Sequence, residues 1–195
     1  MADWEARLRK AVDGPPVETS DFDLNPGVVL PEGRKLRPAA VLVPVLLDHG
    51  PSVVLTQRPA TMAHHPGQVA LPGGKVDPGE TVEGCALREA SEEIGLPPDR
   101  VEVLGALPRH ETVTGFIVTP ILGLVRGDFV PVPEVGEVVE AFAVPLSHIA
   151  DPGRYRVESR QFRGAARRYF VVPYGPYYIW GATARMLRLL AERMA

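Results

Sequence analysis

Glu89, Glu92 and Glu93 stand at i, i+3 and i+4 within a stretch of helical spacing. At about 100° per residue, all three carboxylates project from one helix face. Like charges so placed oppose the helix by about 0.2–0.5 kcal/mol per pair. A divalent cation turns that repulsion into attraction. Mg²⁺ suits clustered carboxylates, keeps several waters and often bridges to substrate phosphates. Arg88 directly precedes the cluster, and Glu80 lies eight residues before it at the end of a glycine-rich loop. The two can pair and tie that loop to the helix. Gly73-Gly74 in the same loop lets backbone approach a ligand or metal closely. A Glu-rich face standing alone is ordinarily just solvated. With the arginine, Glu80 and the double glycine beside it, the set reads as a metal-and-phosphate site.

Several elements must position these groups. Val82, Ala86, Ala90 and Ile94 recur every fourth residue, with Cys85 beside them, which predicts a helix over 82–94. Thr81 supplies the N-cap, Gly95 the C′ glycine, and Pro97-Pro98 blocks extension. Cys85, on the apolar side, reads as small core filler and not as a nucleophile. Upstream, 39–47 and 52–57 read as strands around Asp48-His49-Gly50-Pro51, which is turn chemistry and predicts a hairpin. Residues 58–80 form a long loop or short-strand region rich in Pro and Gly; a loop of that length in a compact domain is usually functional or disordered. Residues 3–12 have helical spacing, stopped by Asp13-Gly14-Pro15-Pro16, and 13–36 are loop-like. Strands are expected over 101–107, 115–125 and 137–144, with a further pair at 155–162 and 168–173. A helix over 179–194 follows. Trp180, Tyr177 and Tyr178 at its start read as packing before base-stacking, and Arg163, Arg167 and Arg168 as a solvated basic cluster. Strands, a central helix, more strands and another helix imply an α/β or α+β fold, a mixed sheet with helices on its faces.

Composition narrows the function classes. The 195 residues fit one domain, 1–195, with 1–36 as an N-terminal helix and loop extension. Apolar residues at 45% against 23% charged mark a chain that folds around a core. A net charge of −3 disfavours non-specific nucleic-acid binding. The longest apolar run, 39–47, is broken by Pro44 and falls far short of the roughly 20 residues that cross a bilayer. The first ten residues mix charges without an apolar core, so no secretory signal is read and a cytoplasmic location is expected. A single cysteine excludes an intramolecular disulfide framework and a multi-cysteine zinc site.

The run from Gly74 to Leu96 resembles the signature of the Nudix hydrolases, G-x5-E-x7-R-E-U-x-E-E-x-G-U, with U a bulky apolar residue. Gly74, Glu80, Arg88, Glu89, Glu92, Glu93, Gly95 and Leu96 fall in register, and Ala90 is smaller than the usual residue there. The resemblance implies a Nudix-type α/β/α sandwich with a mixed β-sheet, and Mg²⁺- or Mn²⁺-dependent hydrolysis of a nucleoside diphosphate linked to another group. It further implies Glu89 and Glu93 as the main metal ligands, Glu92 as another, the Gly74 carbonyl as a contributor, and Glu80 with Arg88 in a structural role. A carboxylate must accept the proton of the attacking water. Glu92 and Glu93 in the helix, or Glu134, Glu137 and Glu140 in a later loop, are the candidates, with Glu137 preferred among the later ones.

The residues upstream bear on the substrate. Val54 to Gly74 resembles the additional motif of the coenzyme A pyrophosphatase branch, roughly L-L-T-x-R-[SA]-x3-R-x3-G-x3-F-P-G-G. Leu55, Thr56, Arg58, Gly67, Pro72, Gly73 and Gly74 match in spacing. Pro59, Leu71 and above all Ala63 depart from it, Ala63 standing where the second Arg belongs. Coenzyme A carries a 3′-phosphate beside its diphosphate, so losing an arginine removes a bidentate phosphate donor. Arg58, His65, Gly73 and Lys75 are the expected substrate contacts, with His64 read as an exposed loop residue. The resemblance implies cleavage of coenzyme A or acyl-CoA to 3′,5′-ADP and (acyl-)4′-phosphopantetheine. ADP-ribose or NADH is the alternative substrate class, and a non-catalytic nucleotide-binding module the alternative function. The expected partner is a small-molecule nucleotide, with no nucleic acid and no membrane; a homodimer is a possible state.

Overall fold

The computed structural model describes residues 3–48, 50–61, 67–162 and 165–195. Among these residues the α-helices are α1 (Trp4–Val12), α2 (Val82–Ile94), α3 (Leu146–Ile149) and α4 (Gly181–Met194). The strands are β1 (Thr19–Ser20), β2 (Arg37–Leu46), β3 (Ser52–Gln57), β4 (Val69–Ala70), β5 (Gly73–Lys75), β6 (Val101–Ala106), β7 (His110–Glu111), β8 (Phe116–Val125), β9 (Glu140–Pro145), β10 (Arg156–Phe162) and β11 (Ala165–Val171). β10 and β11 form a separate antiparallel hairpin, and the other strands form one mixed sheet.

The centre of the sheet is β2, which runs parallel to β8 along its whole length, from Arg37↔Phe116 to Leu46↔Val125. Alternation along β2 sends its side chains to two cores. Ala40 and Leu42 pack under α2 with Cys85, Ala86, Ala90 and Ile94. Ala39, Val43 and Val45 face the other side, where α1, α3 and α4 contribute Leu8, Leu146, Ile149, Leu187 and Leu190. The result is an α/β/α sandwich on a mixed sheet, as the sequence predicts.

The expected hairpin of β2 and β3 forms, but only at Val45↔Val53 and Leu46↔Ser52. Beyond those pairs the strands part. β4 then pairs with β3 at Thr56 and Gln57, while β5 pairs with β2 at Ala39, Ala40 and Val41. Residues 69–75 therefore cross the fork between the two strands. Pro44 sits where β2 and β3 separate. Leu42 donates to the Pro72 carbonyl across the fork, and the nitrogen of Pro44, two residues on, points to the same side. A missing donor costs nothing at a point where no strand is paired.

Some boundaries differ from the sequence reading. The stretch 13–36 contains β1, which pairs in parallel with β7; both strands are two residues long and carry no periodic pattern to read. The strand expected from Glu137 begins at Glu140, because Val138 and Glu137 turn back onto the Glu134 carbonyl. The last strand runs 165–171 in place of 168–173, and α4 begins at Gly181, after a Trp180 that caps it with no side-chain bond.

Candidate active site

The 82–94 helix forms with the predicted ends. Thr81 accepts a hydrogen bond from the Gly84 amide, and Gly95 closes the helix in the left-handed conformation, φ 67°. The last-turn carbonyls find partners both near and far. Gly95 bonds back to Ser91, whereas Glu93 and Ile94 carbonyls accept from Glu134 and Val132, some forty residues later in the chain. Unpaired carbonyls at a helix end must be satisfied somewhere, and here the 130–139 loop does it.

Arg88 is the hub of the site. Its Nε and Nη2 grip both oxygens of Glu80 at 2.8 and 3.0 Å. Its Nη1 reaches Glu89 at 2.9 Å and Glu92 at 3.0 Å, and Nη2 also donates to the Lys75 carbonyl at 3.3 Å. The planar fork thus holds the loop and three carboxylates at once, a geometry lysine cannot reproduce. Its guanidinium, helped by the Asp77 amide, holds the Glu80 carboxyl down at about 2. The loop-to-helix pairing of Glu80 with Arg88 expected from sequence is present.

Each of the two glycines is required by a different neighbour. A Cβ on Gly73 would come within 2.6 Å of the Val41 Cα and closer still to the Ala40 carbonyl oxygen, so β5 can lie against β2 only without a side chain. The Gly73 amide donates to Glu93 Oε2 at 3.3 Å. A Cβ on Gly74 would instead come within 2.6 Å of Glu89 Oε2 and closer to Oε1. The Glu89 carboxylate occupies the space that Gly74 leaves open.

Glu93 is 5% exposed. Burial, then the neighbouring Glu89 charge, push its carboxyl up to about 7, against the opposing pull of the Gly73 amide and Arg58. Glu89 is raised too, by burial first, with Arg88 working against it. The Glu89 charge that helps to raise Glu93 lies near it, and a cation beside the two carboxyls would relieve that repulsion. Among the described residues, however, no three His, Cys, Asp or Glu side chains gather closely enough to hold one ion. Glu92 is the outlying member, its side chain 58% exposed and turned onto Arg88. The donor chemistry still fits Mg²⁺ or Mn²⁺. The carboxylates are hard oxygen ligands, and Mg²⁺ commonly takes one or two of them and completes its shell with water and phosphate.

Arg58, just after β3, acts electrostatically on Glu93, and its Nε is buried without a hydrogen-bond partner among the described residues. Lys75 exposes its side chain at the fork. Of the later acidic residues, Glu137 lies close enough to raise both Glu89 and Glu93. Glu140 is engaged elsewhere, accepting the Tyr177 hydroxyl at 2.7 Å. Glu134 meets the helix through its backbone. Ala63, His64, His65 and Arg163 lie outside the described residues.

Other groups read from sequence take structural places. Cys85 is buried, its thiol pushed up to about 11 by burial, and it points at the Lys75 carbonyl, 3.2 Å away. Tyr177 stacks face to face on Phe142 at 3.5 Å, and Trp180 meets Tyr169 edge-on. The sequence reading missed the backbone links. Neither the Gly73 amide on Glu93 nor the Glu134 amide on the Glu93 carbonyl has a residue-type signal, since any residue but proline can make them. It also missed a buried polar cluster, Thr19–His110–Asp21, which ties the N-terminal segment to the sheet.

An α/β/α sandwich that brings a row of helix carboxylates against a glycine-lined strand fork is the arrangement the Nudix signature requires. The chain belongs to the Nudix family: the NUDIX domain profile matches residues 35–163. It is similar to the uncharacterized Nudix hydrolase NudL of Citrobacter koseri, 42% identical over 173 residues, which covers 88% of this chain and 90% of that one. The NudL of Cronobacter sakazakii is 43% identical over 156 residues, 80% of this chain and 81% of that one. Among solved structures, a MutT/nudix family protein from Enterococcus faecalis matches 99% of this chain and 74% of its own, with a TM-score of 0.55 and 18% identity, a likeness of fold. The protein is a Nudix hydrolase, and among the described residues no helix is long and apolar enough to cross a membrane.

Proposed function

We propose that this Nudix hydrolase cleaves the diphosphate of coenzyme A or its thioesters, giving 3′,5′-ADP and (acyl-)4′-phosphopantetheine. The observation that carries the substrate reading is Arg58, the residue of the upstream motif. A guanidinium whose buried Nε has no hydrogen-bond partner among the described residues, and which acts on Glu93, has a donor to offer an anionic oxygen. Lys75 adds a second, exposed cation at the fork, and His65 completes the set on the motif resemblance.

In this reading Glu89 and Glu93 would hold the Mg²⁺ or Mn²⁺, with the Gly74 carbonyl and Glu92 as further ligands. The ion, when bound, offsets the charge of the diphosphate and makes water a better nucleophile. The chain's own groups do the rest. The Gly73 amide fixes the Glu93 carboxylate. Arg88 fixes Glu89 and, through Glu80, the loop that carries Gly74. Arg58 orients the diphosphate. Glu137, the loop carboxylate whose charge acts on both Glu89 and Glu93, accepts the proton from the attacking water.

Separate incubations with coenzyme A, ADP-ribose and NADH, each with Mg²⁺ and products identified by mass spectrometry, test the assignment. Coenzyme A should turn over fastest and release 3′,5′-ADP. If AMP from ADP-ribose or NADH dominates and coenzyme A is untouched, the Ala63 substitution marks a different substrate.

A further inference from the structure

The 126–140 segment joins β8 to β9 and is exposed almost throughout, with Val130, Val132, Val135 and Val139 between 63% and 91% exposed. Val138 is the exception. It is 4% exposed between the exposed Glu137 and Val139, and it is the only buried residue among these described positions. The loop is nevertheless held firmly. Val132 and Glu134 amides bond to the Ile94 and Glu93 carbonyls at 2.9 Å each. The Val138 amide closes a turn on the Glu134 carbonyl at 3.1 Å, and the Val139 amide bonds to the Gln57 carbonyl at 2.8 Å, one residue before Arg58. Glu137 rides at the top of that turn. The Glu137 amide also reaches the Glu134 carbonyl, at 3.3 Å. These bonds shape the turn, and the buried Val138 side chain, one residue after Glu137, adds an apolar anchor to it.

We infer that Val138 is a positioning residue, the apolar peg that sets the Glu137 carboxylate over Glu89 and Glu93. The inference rests on the reading of Glu137 as proton acceptor. Val138 touches no substrate. Its effect is transmitted by the backbone, and displacement of a catalytic group by about 1 Å can cost on the order of 100-fold in rate.

The test is a double-mutant cycle of Val138→Ala and Glu137→Gln in the full chain, on whichever substrate the panel shows to turn over fastest. Glu137→Gln should lower kcat by at least about 100-fold, the span of general base catalysis. Val138→Ala should lower kcat by roughly 10-fold with KM unchanged, and amide exchange at residues 137–139 should quicken while that of the 82–94 helix stays as it was. In the double variant the Val138 substitution should add nothing, because the group it positions is gone. Val138→Ile, which keeps the peg, should restore most of kcat. If Glu137→Gln is silent, the base assignment falls and this inference with it. If Glu137→Gln is impaired but Val138→Ala is silent, or the two losses multiply in the double variant, the base stands and the positioning role is overturned. Faster exchange without loss of kcat also overturns it.

Discussion

Replacing each of the two fork glycines by alanine should separate fold from chemistry. Neither Gly73 nor Gly74 has a positive φ, so alanine suits both backbones and gains about 0.4–1 kcal/mol by restricting the unfolded chain. What differs is the neighbour that the new methyl meets. At Gly73 it meets the β2 backbone, the Ala40 carbonyl and Val41 Cα. Backbone in the middle of a sheet cannot yield without breaking the Ala39–Val41 pairing to β5, so overpacking should cost about 1–3 kcal/mol or more, outweighing the gain. At Gly74 the methyl meets only the Glu89 carboxylate, the far end of a flexible side chain. That carboxylate swings away and gives up its 2.9 Å bond to Arg88, which is partly exposed and worth about 1 kcal/mol. The net change in stability at Gly74 is therefore close to zero, while a proposed metal ligand moves by more than 1 Å. Urea unfolding and steady-state hydrolysis at varied Mg²⁺ measure the two effects. Gly73→Ala should shift the unfolding midpoint strongly. Gly74→Ala should keep it and lose about 100-fold in kcat or a comparable factor in metal affinity. A Gly74→Ala enzyme with full activity and unchanged Mg²⁺ dependence would refute this account, as would a Gly73→Ala protein as stable as the parent.

Three further outcomes are expected. Glu93 titrates near 7 in the metal-free protein, and a ligand must be deprotonated to bind, so Mn²⁺ affinity by calorimetry should rise up to tenfold per pH unit below about 7 and level off above it. The same raised carboxyl means the metal-free fold is favoured by low pH: roughly 3 kcal/mol is lost as pH rises from about 4.5 through 7, and saturating metal should abolish that loss. A flat affinity profile from pH 5.5 to 8.5 would sink both statements. Arg88→Lys keeps the charge but cannot span Glu80, Glu89 and Glu92, so it should cost about 1–2 kcal/mol in urea unfolding and weaken metal binding; parent-like behaviour on both counts would dismiss Arg88 as the hub. Cys85, buried with its thiol raised to about 11, should resist alkylation at pH 8 until the protein unfolds, and Cys85→Ala should retain turnover. Rapid labelling of the native protein, with loss of activity, would contradict a packing role.

Residue type and spacing alone were enough for the helix 82–94, its Thr81 and Gly95 caps, the shared face of Glu89, Glu92 and Glu93, and the Glu80–Arg88 pairing. These are local or follow from charge, and a helix carries its own geometry. Tertiary structure decided the rest. No pattern in the sequence says that β2 and β3 part after two pairs, because strand divergence depends on what fills the gap, here residues 69–75. The sequence marked Gly73 and Gly74 alike as places of close approach; only the packed chain shows that one meets the β2 backbone and the other a carboxylate. Glu137 could be chosen over Glu134 and Glu140 only as a preference. In the folded chain Tyr177 engages Glu140, and backbone bonds bring a segment some forty residues downstream to the end of the carboxylate helix. Such bonds join groups that every residue possesses, so they leave no mark in composition or spacing and arise only when the chain is folded.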